Sequence, residues 1–357
     1  MKKIVSYVWN DWDQDDRVKK KTLSLSKKYK VKVYSVCKGN KNFSKKINDN
    51  LDVEFISFKN SFFWFWNRLI NNKNFWRKYV EKADIYDCND PDTLEAGVMG
   101  KKKFNGKIVY DSHEYWRGIR RRESTFLYTL YSYIGNTIHY FRQEKLIHMT
   151  DRIITVSNSI FKIIKETYKK PTYLIMNMSP KLNIALNYEQ KLKDKIIVFV
   201  GNKYRLGVES VLNYFKSEGY KVIVIGNAPK TNPDFEYTGF LEKEEFMKII
   251  SKALLGVVYT ERTCKSIEYS MPNKLFEYIQ AGIVPIVNIE TIDTSDFVHE
   301  HDIGFAINPL KYAIHSKIIL SQSNVALRHF QDNIKLIRNK YTWEVQEPKL
   351  FEVYDFE

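Results

Sequence analysis

At 357 residues and 44% hydrophobic content, the chain is too long for one typical domain and too apolar for global disorder. Two α/β domains, each with its own core, fit that length. The net charge of +15 is segregated: residues 1–180 hold 35 Lys/Arg against 19 Asp/Glu, and residues 181–357 hold 22 against 23. Such a division suggests a surface that faces phosphates, with a Lys-rich composition as the plainer explanation.

The opening Lys2 to Trp9 predicts a first strand, too short for a signal peptide or a membrane span. Cys37, Cys88 and Cys264 are scattered without ligand spacing, which fits reduced thiols and a cytoplasmic protein. Asp15-Asp16-Arg17-Val18 leads into a helix spaced by Leu23, Leu25 and Tyr29, and Val31 to Cys37 is a second strand. A strand–helix–strand opening implies a parallel sheet. It carries no Gly-x-Gly-x-x-Gly, so no dinucleotide site is expected here.

Val53 to Phe58 is another strand, followed by an aromatic and basic stretch from Phe62 to Tyr79. Trp64 and Trp66 cannot both face one core on a helix, so part of this stretch suits an anionic membrane interface and part suits a core. Asp90-Pro-Asp92 imitates a metal-binding pair, but Pro91 and the capping residue Thr93 argue for a helix entrance and against metal. Ile108 to Trp116 is a strand running into a loop at its carboxyl end, where open α/β sheets place ligands, and His113 lies on that loop. Arg117, Arg120, Arg121 and Arg122 then suit either a phosphate or headgroup, or a solvated charge run. A Tyr-rich helical region extends to about Ile147.

Residues 176–194 lack a clear period and contain Pro180, which marks a linker. A new α/β unit starts at Ile196–Gly201. The loop from Gly201 to Gly207 offers Lys203 and Arg205 beside two glycines, good equipment for a pyrophosphate, or simply a basic turn. His299 and His301, two residues apart, cannot share a helical face, which argues against metal there. Ile303 to Pro309 is an edge strand, and the segment from about Ser316 to Trp343 is helical.

The most informative stretch is Ser270-Met-Pro-Asn-Lys-Leu-Phe-Glu-Tyr-Ile-Gln-Ala-Gly-Ile-Val-Pro-Ile-Val287. Ser270 reads as an N-cap, Pro272 tolerates the first turn, Gly282 stops the helix, and Ile283 to Val287 reads as a buried strand. Lys274 in the first turn opposes the helix dipole, which suggests an anion for it to meet, and Glu277 one turn on suits a diol. Phosphate plus diol describes a nucleotide sugar; an ordinary capped helix is the alternative.

Ser-x-Pro-Asn-Lys-x-x-Glu-Tyr-x-x-x-Gly-x-x-Pro-Ile resembles the donor-site motif of GT-B glycosyltransferases of the retaining family 4 type. Val109-Tyr-Asp-Ser-His-Glu114 and Asp90-x-Asp-Thr-Leu94 resemble the acceptor half of that family, and Asp-x-Arg-Val at 15–18 resembles how many members begin. The resemblance implies an α/β, GT-B fold: two Rossmann-like parallel-sheet domains facing each other across a cleft. It implies an acceptor domain at 1–180, a donor domain at 181–315 and a helical segment, 316–357, crossing back to the first. It also implies that His113 contacts the transferred sugar and that Arg205, Lys203 and Lys274 meet the donor phosphates. Gly201, Ser270, Met271, Pro272, Asn273 and Glu277 complete the donor set, with Glu277 on the ribose diol. One departure stands out. Many members carry a second glutamate with seven residues between it and Glu277, where this chain has Tyr269, with Glu268 one residue off.

The expected activity is metal-independent, cofactor-free retaining transfer of a hexose from a UDP- or GDP-sugar to a lipid-linked or surface-polysaccharide glycan. The alternatives are a nucleotide-sugar epimerase or hydrolase, and a non-catalytic protein binding lipid or nucleic acid. Arg17, Trp64, Trp66, Arg120, Arg121 and Arg122 are the residues expected to meet acceptor or membrane. An anionic membrane surface is an expected partner and nucleic acid is not, which places the protein at the inner face of the plasma membrane.

Overall fold

The computed structural model describes residues 1–119, 126–204, 207–258, 264–308 and 311–356, with the helix backbone alone for residues 126–132. Arg120, Arg121, Arg122 and Arg205 lie outside the described residues. The chain divides into two compact units: Met1–Met176 with Cys264–Ser266 and Glu347–Glu357, and Asn177–Thr263 with Ile267–Gln346.

The first unit is built on strands β1 (Lys3–Val8), β2 (Lys30–Lys38), β3 (Phe43–Asn48), β4 (Leu51–Phe58), β5 (Ile85–Asn89), β6 (Lys107–Ser112), β7 (Arg152–Thr155) and β8 (Thr172–Leu174). Their order is β3-β4-β2-β1-β5-β6-β7-β8, parallel throughout except for the β3–β4 pair. The helices are α1 (Asp16–Leu25), α2 (Ser61–Leu69), α3 (Asn72–Arg77), α4 (Leu94–Phe104), α5 (Phe126–Leu146) and α6 (Asn158–Tyr168). β3 has no counterpart among the predicted strands: its residues are almost all exposed, so they carry no apolar alternation.

Under this sheet lies a buried ionic cluster. Lys21 Nζ donates to Asp87 at 2.9 Å, Asn89 at 2.6 Å and Asp111 at 2.8 Å. Arg17 grips Asp111 with two nitrogens, at 2.7 and 3.2 Å, and gives a third bond to the Ile175 carbonyl. Arg17 is only 4% exposed, which corrects its assignment to acceptor or membrane contact: its guanidinium is used inside the fold. Mutual pairing is what lets such charges stay buried.

In the second unit the strands are β9 (Ile196–Val200), β10 (Lys221–Ile225), β11 (Glu236–Gly239), β12 (Leu255–Val258), β13 (Val284–Asn288) and β14 (Phe305–Ile307). They run parallel in the order β11-β10-β9-β12-β13-β14. Continuous apolar runs such as Ile-Ile-Val-Phe-Val in β9 suit a sheet covered on both faces. The helices that follow in the chain are α7 (Tyr188–Asp194), α8 (Val208–Ser217), α9 (Lys243–Ile250), α10 (Lys265–Glu268, its first two residues counted with the first unit), α11 (Asn273–Ala281), α12 (Ile292–Glu300), α13 (Tyr312–Leu320), α14 (Asn324–Ile337) and α15 (Trp343–Tyr354). The end of α15 belongs to the first unit, where the Tyr354 hydroxyl donates to Asp87 at 2.6 Å and Arg152 binds the Glu352, Val353 and Asp355 carbonyls. Among the described residues, no helix is long and apolar enough to cross a membrane.

Candidate functional site

Each unit gathers chemistry at the carboxyl ends of its parallel strands. In the first, residues following β1, β5 and β6 line a cavity of about 360 Å³, with Trp9, Trp64, Arg68, Asp90, Asp92 and His113 in its walls. The Asp90 carboxylate accepts the His113 backbone N–H at 3.0 Å and lies 3.2 Å from imidazole Nδ1. It also takes the Trp116 indole N–H at 3.2 Å. His113 Nε2 is 3.4 Å from Asp111 Oδ2 without hydrogen-bond alignment, and this buried nitrogen has no hydrogen-bond partner.

Burial alone would push the imidazole pKa down, but Asp90 and Asp111 outweigh it and carry His113 up to about 10. Reciprocally, burial opposes ionisation of Asp90, yet the His113 charge holds that carboxyl below the usual range. At neutral pH His113 is therefore an imidazolium, a hydrogen-bond donor to a hydroxyl and not a general base. Asp92 behaves differently: burial raises its carboxyl against the pull of Arg68, whose Nε lies 2.6 Å away. Two further buried polar atoms, Trp9 Nε1 and Asp92 Oδ1, have no partner, and both residues line the same cavity. Native interiors keep few such atoms, and three of them belong to residues around this one cavity.

The two tryptophans of α2 part company. Trp64 lines the cavity, edge-on to Trp9 at 6.2 Å and under the Arg68 guanidinium at 5.2 Å. Trp66 is 45% exposed. The sequence reading passed over Trp9, Arg68, Asp90 and Asp92. For the two aspartates the signal was available: they follow the end of β5 as His113 follows β6 and belong to the motif that resembles an acceptor half, but they read as a helix entrance and not as site residues.

In the second unit the loop after β9 meets the start of α11. Leu275, Phe276 and Ile279 are fully buried, and Gly282 ends α11 with φ 67°, where a side chain would also strike Leu186. The N-cap is Pro272, not Ser270. The Ser270 hydroxyl instead donates back to the Ile267 carbonyl at 2.8 Å, so no side chain caps the first turn of α11. An uncapped helix start favours an anion. Met271 is buried at 5% exposure, while Pro272 and Asn273 are half-buried. The Lys274 ammonium donates to the Val200 carbonyl at the end of β9, which fixes it beside Gly201. At Gly201 a Cβ would fall 2.7 Å from the Phe199 ring, a packing reason for glycine there. Lys203 is exposed. Glu277, one turn into α11, pairs with Lys243 of α9, a partner the sequence did not suggest. Glu268 is buried, at 4% exposure. Among the described residues no group of three or more His, Cys, Asp or Glu side chains is arranged to hold a metal ion.

Residues 197–342 match the family model described as Glucosyltransferase 3-like, C-terminal domain. No curated protein matches the chain in sequence. Among solved structures, sucrose-phosphate synthase from Thermosynechococcus elongatus matches with TM-score 0.75 and 12% identity over 99% of this chain and 98% of that one. The Anabaena protein HepE, solved with UDP and glucose, gives TM-score 0.68 and 12% identity over 99% of both chains. The E. coli trehalose-6-phosphate protein bound with UDP-2-fluoro glucose gives 0.67 and 11% over 99% of both. Identities this low establish the fold, which is GT-B. The fold of the chain is thus GT-B, and its second unit is similar to the C-terminal domain of glucosyltransferases of that fold.

Proposed function

We propose that the protein transfers a hexose from a nucleoside diphosphate sugar, with retention of configuration, to the unphosphorylated sugar end of a glycan. The observation that carries this reading is the junction of β9 with α11. There an uncapped helix start, Lys274 and Glu277 sit together at a strand end, within the segment that matches the family model. The helix dipole and Lys274, with Lys203 and Arg205 from the neighbouring loop, stabilise the departing diphosphate. Glu277 exchanges Lys243 for the ribose diol. These cations supply the charge that a divalent metal would otherwise supply.

The acceptor class follows from the charges in the first-unit cavity. Asp15, Asp90, Asp92 and Glu114 line it against only Arg68 and His113, and Asp90 and Asp92 are already committed to those two cations. A phosphate there would meet an excess of carboxylates, whereas neutral hydroxyls would not be repelled and can donate to them. Phe62, Phe63, Trp66 and Ile70, between 45% and 64% exposed, support the lipid-linked form of that acceptor and a peripheral place at an anionic, cytoplasmic membrane face.

The test is a thermal-shift screen against UDP-, GDP-, ADP- and CMP-sugars, since a ligand that binds only the folded state raises stability by mass action. One nucleotide series should raise the melting temperature. No shift with any series would overturn the assignment, and hydrolysis of the donor with no acceptor requirement would replace it with an epimerase or hydrolase.

A further inference from the structure

A second cavity in the first unit, about 330 Å³, shares no lining residue with the first. Lys73 and Arg77 come to it from α3, and Lys102 and Lys103 from α4, above a floor made by Val80 and Met99. All four cations are exposed, and none of them makes an ion pair with a carboxylate among the described residues. The contrast with neighbours is direct: Lys101 binds Asp151 at 2.7 Å and Lys45 binds Asp13 at 3.0 Å. Arg77 in the last turn of α3, and Lys102 and Lys103 in the last turn of α4, offset the negative end of each helix, which accounts for those three cations taken separately. It does not account for Lys73, in the first turn of α3 where a cation opposes the dipole, nor for four like charges around one cavity with no carboxylate in its lining.

We propose that this cavity binds a phosphate ester, with its charge on Lys73, Arg77, Lys102 and Lys103 and its organic part against Val80 and Met99. Arg77 supplies a planar fork for two oxygens, and the three ammonium groups act as point charges. The same chemistry is offered by an anionic lipid headgroup and by a soluble phosphate ester. The proposal rests on neither the donor site nor the exposed aromatics of α2.

The test compares Lys102→Ala/Lys103→Ala with Lys162→Ala/Lys165→Ala, which removes equal charge from α6. Binding is measured to phosphatidylcholine vesicles with and without phosphatidylglycerol, and to glycerol phosphate in solution by calorimetry. The cavity pair should bind roughly thirtyfold more weakly than the α6 pair, at about 1 kcal/mol per lysine. Loss confined to vesicles identifies a lipid headgroup, and loss confined to or shared with glycerol phosphate identifies the ester itself. Equal binding by the two variants, or no binding of either probe by the parent protein, overturns the proposal. Both pairs are exposed, and unchanged melting temperatures will show that both variants fold.

Discussion

The Asp90 carboxylate holds His113 at two points, the backbone N–H at 3.0 Å and the imidazole Nδ1 at 3.2 Å. It does so from a backbone at φ 63° and ψ 166°, a region that side chains other than glycine's rarely occupy. Holding that conformation costs about 1–3 kcal/mol. Asp90→Asn keeps the strain and removes the charge, leaving the buried imidazolium under-compensated at a cost of roughly 3 kcal/mol. Asp90→Gly removes both, so its stability should lie nearer the parent's. Both variants should lose transfer activity. Denaturant unfolding and turnover check this, and an Asp90→Gly variant with parental kcat would end the positioning role.

The pH dependence of the same pair has a definite sign. The folded pKa of His113, about 10, lies above the unfolded 6.5. Its contribution is therefore complete below about pH 6.5 and lost as pH rises through about 10. The stability gap between the parent and His113→Gln should narrow over that window, measured by urea unfolding at each pH. A gap that widens with pH would mean that the imidazole is neutral in the fold.

How far the sequence reached can be seen residue by residue. The α11–β13 segment was legible because local signals agree there: a Pro-led start, three apolar positions on one face and a glycine stop. Its start was misplaced because Ser270 spends its hydroxyl on Ile267, a choice set by the turn before α11 and not by residue type. Arg17 looked like an anion ligand because its partner Asp111 is 94 residues away, a pairing that no local pattern encodes. The split between Trp64 and Trp66 was foreseeable from helical geometry, but Trp9 as the partner of Trp64 was not. The exposed α2 face was readable, while the four cations of the second cavity converge only once α3 and α4 pack.

Glu277→Ala separates the two halves of the proposed function. Removing a carboxylate that takes two diol hydroxyls should weaken nucleotide-sugar binding by more than roughly hundredfold, at about 1.5–3 kcal/mol for each bond to a charged group. Vesicle binding should be unchanged, because Glu277 belongs to the second unit and the exposed aromatics to the first. Calorimetry with the donor identified in the thermal-shift screen, beside vesicle sedimentation, reads both. Equal loss of the two would contradict this division.

Lys191 tests what holds the far end of α11. Its ammonium is buried and donates to the carbonyls of Ala253 at 2.9 Å, Ala281 at 2.7 Å and Gly282 at 3.2 Å, the last two at the carboxyl end of the helix. Lys191→Met leaves those carbonyls without this donor and should cost about 2–3 kcal/mol. Burial, with Arg338 nearby, lowers the lysine pKa from 10.5 to about 7. Between those values the unfolded chain holds a proton that the folded chain has released, so the lysine's contribution to stability rises with pH. The gap between the parent and Lys191→Met should therefore widen from about pH 7 towards 10.5, the opposite trend to His113. A gap that stays flat would show that the three carbonyls solvate the ammonium well enough to keep it charged, and that α11 is anchored by an ion and not by a neutral amine.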